Sequence, residues 1–101
     1  MNLEDAERAL ISGQYAELLK ESLVGISSAE LETRERDYIR WSVLAVHACR
    51  FMGRTNEALQ HAYNALEKAK VTKDAVLLCE AHLAQARAFK TARDYDEAIR
   101  E

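Results

Sequence analysis

Three stretches of the chain, "SGQYAELLKE" (Ser12–Glu21), "MGRTNEALQH" (Met52–His61) and "ARDYDEAIRE" (Ala92–Glu101), fall on one another when the sequence is shifted against itself by forty positions. Each joins a short junction to x-x-Glu-[Leu/Ala]-[Leu/Ile]. Glu17, Glu57 and Glu97 superpose, as do Leu18, Ala58 and Ala98, then Leu19, Leu59 and Ile99. Tyr15 and Tyr95 match, with Thr55 between them. Gly13 and Gly53 also match, while Arg93 stands in the third place.

The agreement continues outward. Leu3, Ala6 and Ala9 fall on Val43, Val46 and Cys49, and these on Leu83, Ala86 and Phe89. Steps of three residues draw one apolar stripe along one face of a helix. Downstream, Ser22, Gly25 and Ile26 match Ala62, Ala65 and Leu66, and the small residues leave room for a neighbouring helix. Gly13, Gly25 and Gly53 read as stop signals, Ser27 with Glu30 as a capping box, and Thr72 with Asp74 as a helix start. Together they predict helices near 2–12, 15–25, 28–52, 55–70 and 74–92, with a further helix beginning at 95.

Composition agrees. The 101 residues hold three glycines and no proline, are 49% apolar and 31% charged, and are dominated by good helix formers. The fold class is all-α: a single domain, 1–101, with units at about 1–27, 28–71 and 72–101. The 28–52 helix is the central element. Tyr38, Trp41, Ala45, Ala48 and Met52 form one apolar face and Ile39, Val43, Val46 and Cys49 the next, so neighbours are expected on several sides. Trp41 is expected in the core, with a partner contact as its alternative. Cys49 and Cys79 are expected to be small buried thiols without a disulfide.

A net charge of −3 with intermixed signs argues against a duplex-binding protein. No run approaches the about 18–20 apolar residues that cross a bilayer, and the acidic start Met1–Asp5 lacks the order of a signal peptide. A cytoplasmic protein is expected, with no membrane and no nucleic-acid partner. His47, His61 and His82 do not repeat as ligand pairs, and with Cys79 they give no zinc spacing. Asp94 and Asp96 suit a helix start rather than catalysis. No enzyme activity, cofactor or metal is expected.

Ala86-x-x-Phe89 followed by Asp94–Ile99, and Gly53–Leu59 followed by Ala62 and Ala65–Leu66, resemble the tetratricopeptide repeat family in its long-period form. The resemblance implies antiparallel helix-turn-helix units stacked as a right-handed α-solenoid. It covers about two and a half units, the last one incomplete, in a fragment of a larger protein. It also implies a concave groove lined by the first helix of each unit, where a peptide or partner domain lies. Carried onto this chain, the groove holds His47, Arg50 and Phe51 of the second unit beside Arg87, Lys90 and Thr91 of the third, with Glu7, Leu10 and Ile11 from the first. A basic end of this kind attracts an acidic segment or a C-terminal carboxylate.

The function expected from the resemblance is a protein–protein interaction module, a regulatory or scaffold region ahead of an output domain, as in bacterial signalling and transcription-regulatory proteins. The alternative is a self-association module that forms a homodimer through the apolar face of the 74–92 helix. A weaker third reading is a nucleic-acid contact through Arg87 and Lys90.

Overall fold

Four residues with left-handed backbone divide the chain at intervals of twenty: Gly13 (φ 81°), Thr33 (φ 53°), Gly53 (φ 75°) and Lys73 (φ 57°). In a computed structural model describing residues 1–100, and only the backbone at 98 and 100, they separate five α-helices. These are α1 (Leu3–Ile11), α2 (Tyr15–Leu31), α3 (Glu35–Phe51), α4 (Thr55–Thr72) and α5 (Ala75–Arg100). Glu101 lies outside the described residues, as does the Ala98 side chain that the forty-residue shift pairs with Leu18 and Ala58.

The first three turns are one structure used three times. The N–H groups of Gln14, Arg34 and Arg54 reach back to the carbonyls of Ala9, Ala29 and Cys49 at 2.9, 2.9 and 2.8 Å. This six-to-one bond, beside a left-handed residue, ends each helix by satisfying a free carbonyl. The same Gln14, Arg34 and Arg54 then open the next helix, accepting from Leu18, Tyr38 and Ala58 at 2.9, 3.0 and 3.0 Å. One residue thus closes one helix and starts the next, so α2, α3 and α4 begin without a side-chain cap. Side-chain caps serve α1 and α5 instead. Asn2 Oδ1 accepts from Asp5 N at 2.8 Å, and Asp74 Oδ1 accepts from Val76 N and Leu77 N at 3.0 and 3.2 Å.

Several helix boundaries differ from those expected. α2 runs through Gly25, Ser27 and Glu30 to Leu31, so the Ser27–Glu30 pair caps nothing and α3 starts at Glu35 rather than residue 28. Thr33 supplies the left-handed residue instead, although it is β-branched and strained there. Thr72 ends α4 and Asp74 caps α5. The break expected between 92 and 95 is absent, because α5 continues to Arg100. Extending an existing helix needs no new nucleus, whereas a turn at Arg93 would force a bulky residue left-handed at a cost of about 1 kcal/mol. Tyr95, on this extension, lies over the α3–α4 turn. A Cβ added at Gly53 would stand 3.0 Å from its hydroxyl.

α3 packs against α1, α2, α4 and α5. Ile39, Trp41, Leu44, Ala45, Val46, Ala48 and Cys49 are all buried, as its two apolar faces require, and Trp41 takes the core place. One cluster joins Ala6, Ala9, Leu18, Leu19, Trp41, Ala45, Ala58, Ala62, Ala84 and Ala88. A second joins Ile39 to Ala65, Leu66, Ala69, Leu77 and Ala81. Alanine holds most buried positions on α4 and α5, so backbones approach closely and any added side-chain volume must be accommodated by strain.

Candidate protein-binding groove

Where α3 and α5 lie side by side, the end of α3 and the middle of α5 bring four of the expected residues together. His47 and Arg50 are one turn apart on α3, and Arg87 and Thr91 one turn apart on α5. Arg50 is half-buried and held from both sides. Its Nε donates to Thr91 Oγ1 at 3.0 Å, and its Nη1 lies 3.0 Å from His47 Nδ1. A guanidinium can only donate, so Nδ1 accepts and His47 is the neutral tautomer with its proton on Nε2.

Electrostatics agree. Burial, then the charges of Arg50 and Arg87, lower the His47 imidazole from its ordinary 6.5 to about 4. Burial and the nearby Arg87 also pull the Arg50 guanidinium below its usual value. A half-buried and an exposed cation thus both act on one neutral ring. Arg8, Arg34, Arg36 and Arg54 each sit within 4.0 Å of a carboxylate. Among the described residues Arg50 and Arg87 have no such partner.

Phe51 adjoins this cluster and is 53% exposed. Its ring stacks on Tyr15 with centroids 4.9 Å apart and planes at 22°, and the Arg50 guanidinium carbon lies 5.2 Å from its centroid. Tyr15 is not among the residues that the resemblance places in the groove. Its only signal was the match to Tyr95 eighty positions on, which says nothing of the α3 residue it meets. Lys90 is exposed on α5, and among the described residues no hydrogen bond or ion pair joins it to the cluster.

From the first unit, Leu10 is half-buried and Ile11 is exposed at the end of α1. Glu7 instead lines a cavity of about 300 Å³ with Leu3 of α1, Arg40, Val43 and Leu44 of α3, and Glu80 of α5. The cavity beside α1 thus carries mixed charge, and the surface where α3 meets α5 carries cationic and aromatic groups. A separate cavity of about 380 Å³ lies beside Trp41 and Gly25. Its one arginine, Arg34, is already engaged by Asp37 at 2.6 Å, Glu32 at 2.8 Å and Ser28 Oγ at 3.0 Å.

Cys49 is buried as expected, and burial with the Glu57 charge raises its thiol to about 11. Cys79 is not buried: it is exposed on α5. No three His, Cys, Asp or Glu side chains converge among the described residues, and no helix is long and apolar enough to cross a membrane. Comparison with protein-family models, curated proteins and solved structures gave no match.

Proposed function

We propose that this chain is a protein–protein interaction module of the tetratricopeptide type, part of a right-handed helical solenoid in a larger cytoplasmic protein, and that its groove takes an acidic segment at Arg50 and Arg87. The observation that carries the reading is the held Arg50. A half-buried guanidinium fixed by His47 and Thr91, beside a second guanidinium and without a carboxylate, is a donor array awaiting an anion. Because Arg50 is already positioned, less side-chain entropy is lost when a carboxylate arrives. A regulatory or scaffold role ahead of an output domain fits such a module.

The test is titration of the protein with a labelled oligoglutamate peptide, read by fluorescence anisotropy. Arg87→Glu replaces attraction by repulsion and should weaken binding by about tenfold or more, and binding should weaken with salt. Equal affinity of parent and Arg87→Glu would refute the placement.

A second reading, self-association through α5, is favoured by one contrast. Leu83 and Phe89 are 51% and 57% exposed, and Cys79 is exposed as well. Their counterparts forty residues earlier, Val43, Cys49 and Ile39, pack into the core, with Ile39 and Cys49 at 0% exposure. A second copy covering this stripe would make sedimentation depend on concentration, and Leu83→Glu would abolish that dependence. A monomer at every concentration would remove the reading.

A further inference from the structure

Resting on the reading of Arg50 and Arg87 as an anion site, we infer that the acidic group arrives on a peptide that also carries a large apolar side chain two residues away, and that the Tyr15–Phe51 stack receives it. Phe51 is a large aromatic residue left more than half exposed at the end of a helix whose other apolar side chains are mostly buried. It is nonetheless ordered by two contacts, the Tyr15 ring at 4.9 Å and the Arg50 guanidinium at 5.2 Å. A guanidinium, a phenyl ring and a phenol ring therefore form one continuous strip from α3 to the start of α2.

The spacing suits a peptide. The 5.2 Å between the Arg50 guanidinium and the Phe51 ring lies between one and two residues of an extended strand at roughly 3.3 Å each. Because alternate side chains of a strand share a face, a carboxylate seated on Arg50 and Arg87 leaves the side chain two positions along above Phe51. Charge fixes the first contact and the direction of the peptide, and the apolar strip reads the second.

Blocked peptides that differ only in the pair, Glu-Ala-Phe, Glu-Ala-Ala and Gln-Ala-Phe, distinguish this inference from the reading beneath it. On the intact chain, Glu-Ala-Phe should bind about tenfold tighter than Glu-Ala-Ala, the gain expected from removing a phenyl group from water. Phe51→Ala should erase that advantage, so that Glu-Ala-Phe and Glu-Ala-Ala bind the variant equally. A circular-dichroism melt of Phe51→Ala checks that α3 remains folded, and the peptide comparison on the parent chain needs no variant. Equal affinities for Glu-Ala-Phe and Glu-Ala-Ala, both weakened by Arg87→Glu, would overturn the apolar contact while leaving the anion site standing. Failure of all three peptides to bind would remove both.

Discussion

The indole of Trp41 lies directly against the backbone of Gly25. A Cβ built at residue 25 would stand 2.5 Å from Trp41 Cε2 and 2.7 Å from its Cγ, so α2 and α3 touch where only a glycine fits. Gly25 sits inside α2, where alanine would ordinarily be favoured by about 1 kcal/mol. Here the clash should win. Gly25→Ala is expected to destabilise the fold by about 1–3 kcal/mol, measured by urea unfolding followed through Trp41 fluorescence. In a Trp41→Leu background, with both backgrounds followed by circular dichroism because Trp41 is the single tryptophan, the same substitution should cost far less, and an equal cost in both would show that the ring is not its cause.

Thr33 and Gly53 hold equivalent turns with left-handed backbone, yet only one is suited to it. Thr33→Gly should raise stability by about 0.5–1 kcal/mol, the relief of a β-branched residue at φ 53° less the added freedom of the unfolded chain. Gly53→Ala should do the reverse, and more strongly, because the new methyl would also meet the Tyr95 hydroxyl. Thermal melts of the two variants should therefore move in opposite directions.

His47 gives the fold a pH dependence of defined sign. Its folded value of about 4 lies below the ordinary 6.5, so the unfolded chain binds the extra proton. The contribution is fully present above about pH 6.5, shrinks as pH falls through that range, and is gone near pH 4. Denaturant unfolding at pH 4.5 and 7.5 should differ by about 2 kcal/mol from this group, and His47→Gln should remove most of that difference. A His47 NMR titration with a midpoint near 6.5 would contradict the burial and charge effects described.

The two thiols should react at very different rates. Cys79 is exposed, and Cys49 is both fully buried and raised to about 11. Iodoacetamide at neutral pH should label Cys79 in the native protein and Cys49 only after denaturation, with peptide mass mapping as the readout. Equal labelling would mean that α3 opens freely.

Ser22 and Ser42 are buried twenty positions apart, and among the described residues neither hydroxyl finds a hydrogen-bond partner. Replacing a buried, unsatisfied hydroxyl by hydrogen removes a desolvation penalty. Ser22→Ala and Ser42→Ala should each stabilise the protein by about 1 kcal/mol in thermal or urea unfolding. A loss of stability would mean that the hydroxyls are satisfied in solution.

Much of the helical plan was legible because apolar period and glycine placement point the same way. The two faces of α3 and the turns at Gly13 and Gly53 are of this kind. What misled were residues whose usual local meaning is overridden by tertiary contact. Gly25 resembles a stop signal, yet it marks the approach of Trp41. Ser27 and Glu30 match a capping pair, yet lie inside a helix. Thr33 and Lys73 take left-handed backbone that their side chains do not advertise. In the groove, the three-four spacings of His47–Arg50 and Arg87–Thr91 placed partners on single helices. The Tyr15–Phe51 stack joins residues far apart in sequence, and no local pattern could show it.

Among the described residues, no helix touches another more than two places along the chain. Every loop that folding must close is therefore short, and loop-closure entropy rises little from one helix to the next. Such a chain needs no distant pairing to nucleate. α3, the only helix with four neighbours, is where protection from amide exchange should be greatest, while α1 and the far end of α5 open on their own without unfolding the centre. Cooperativity then runs along the chain as a gradient, and a partner bridging α3 and α5 would bind the slowest-exchanging helix to one of the fastest, tightening the loose end.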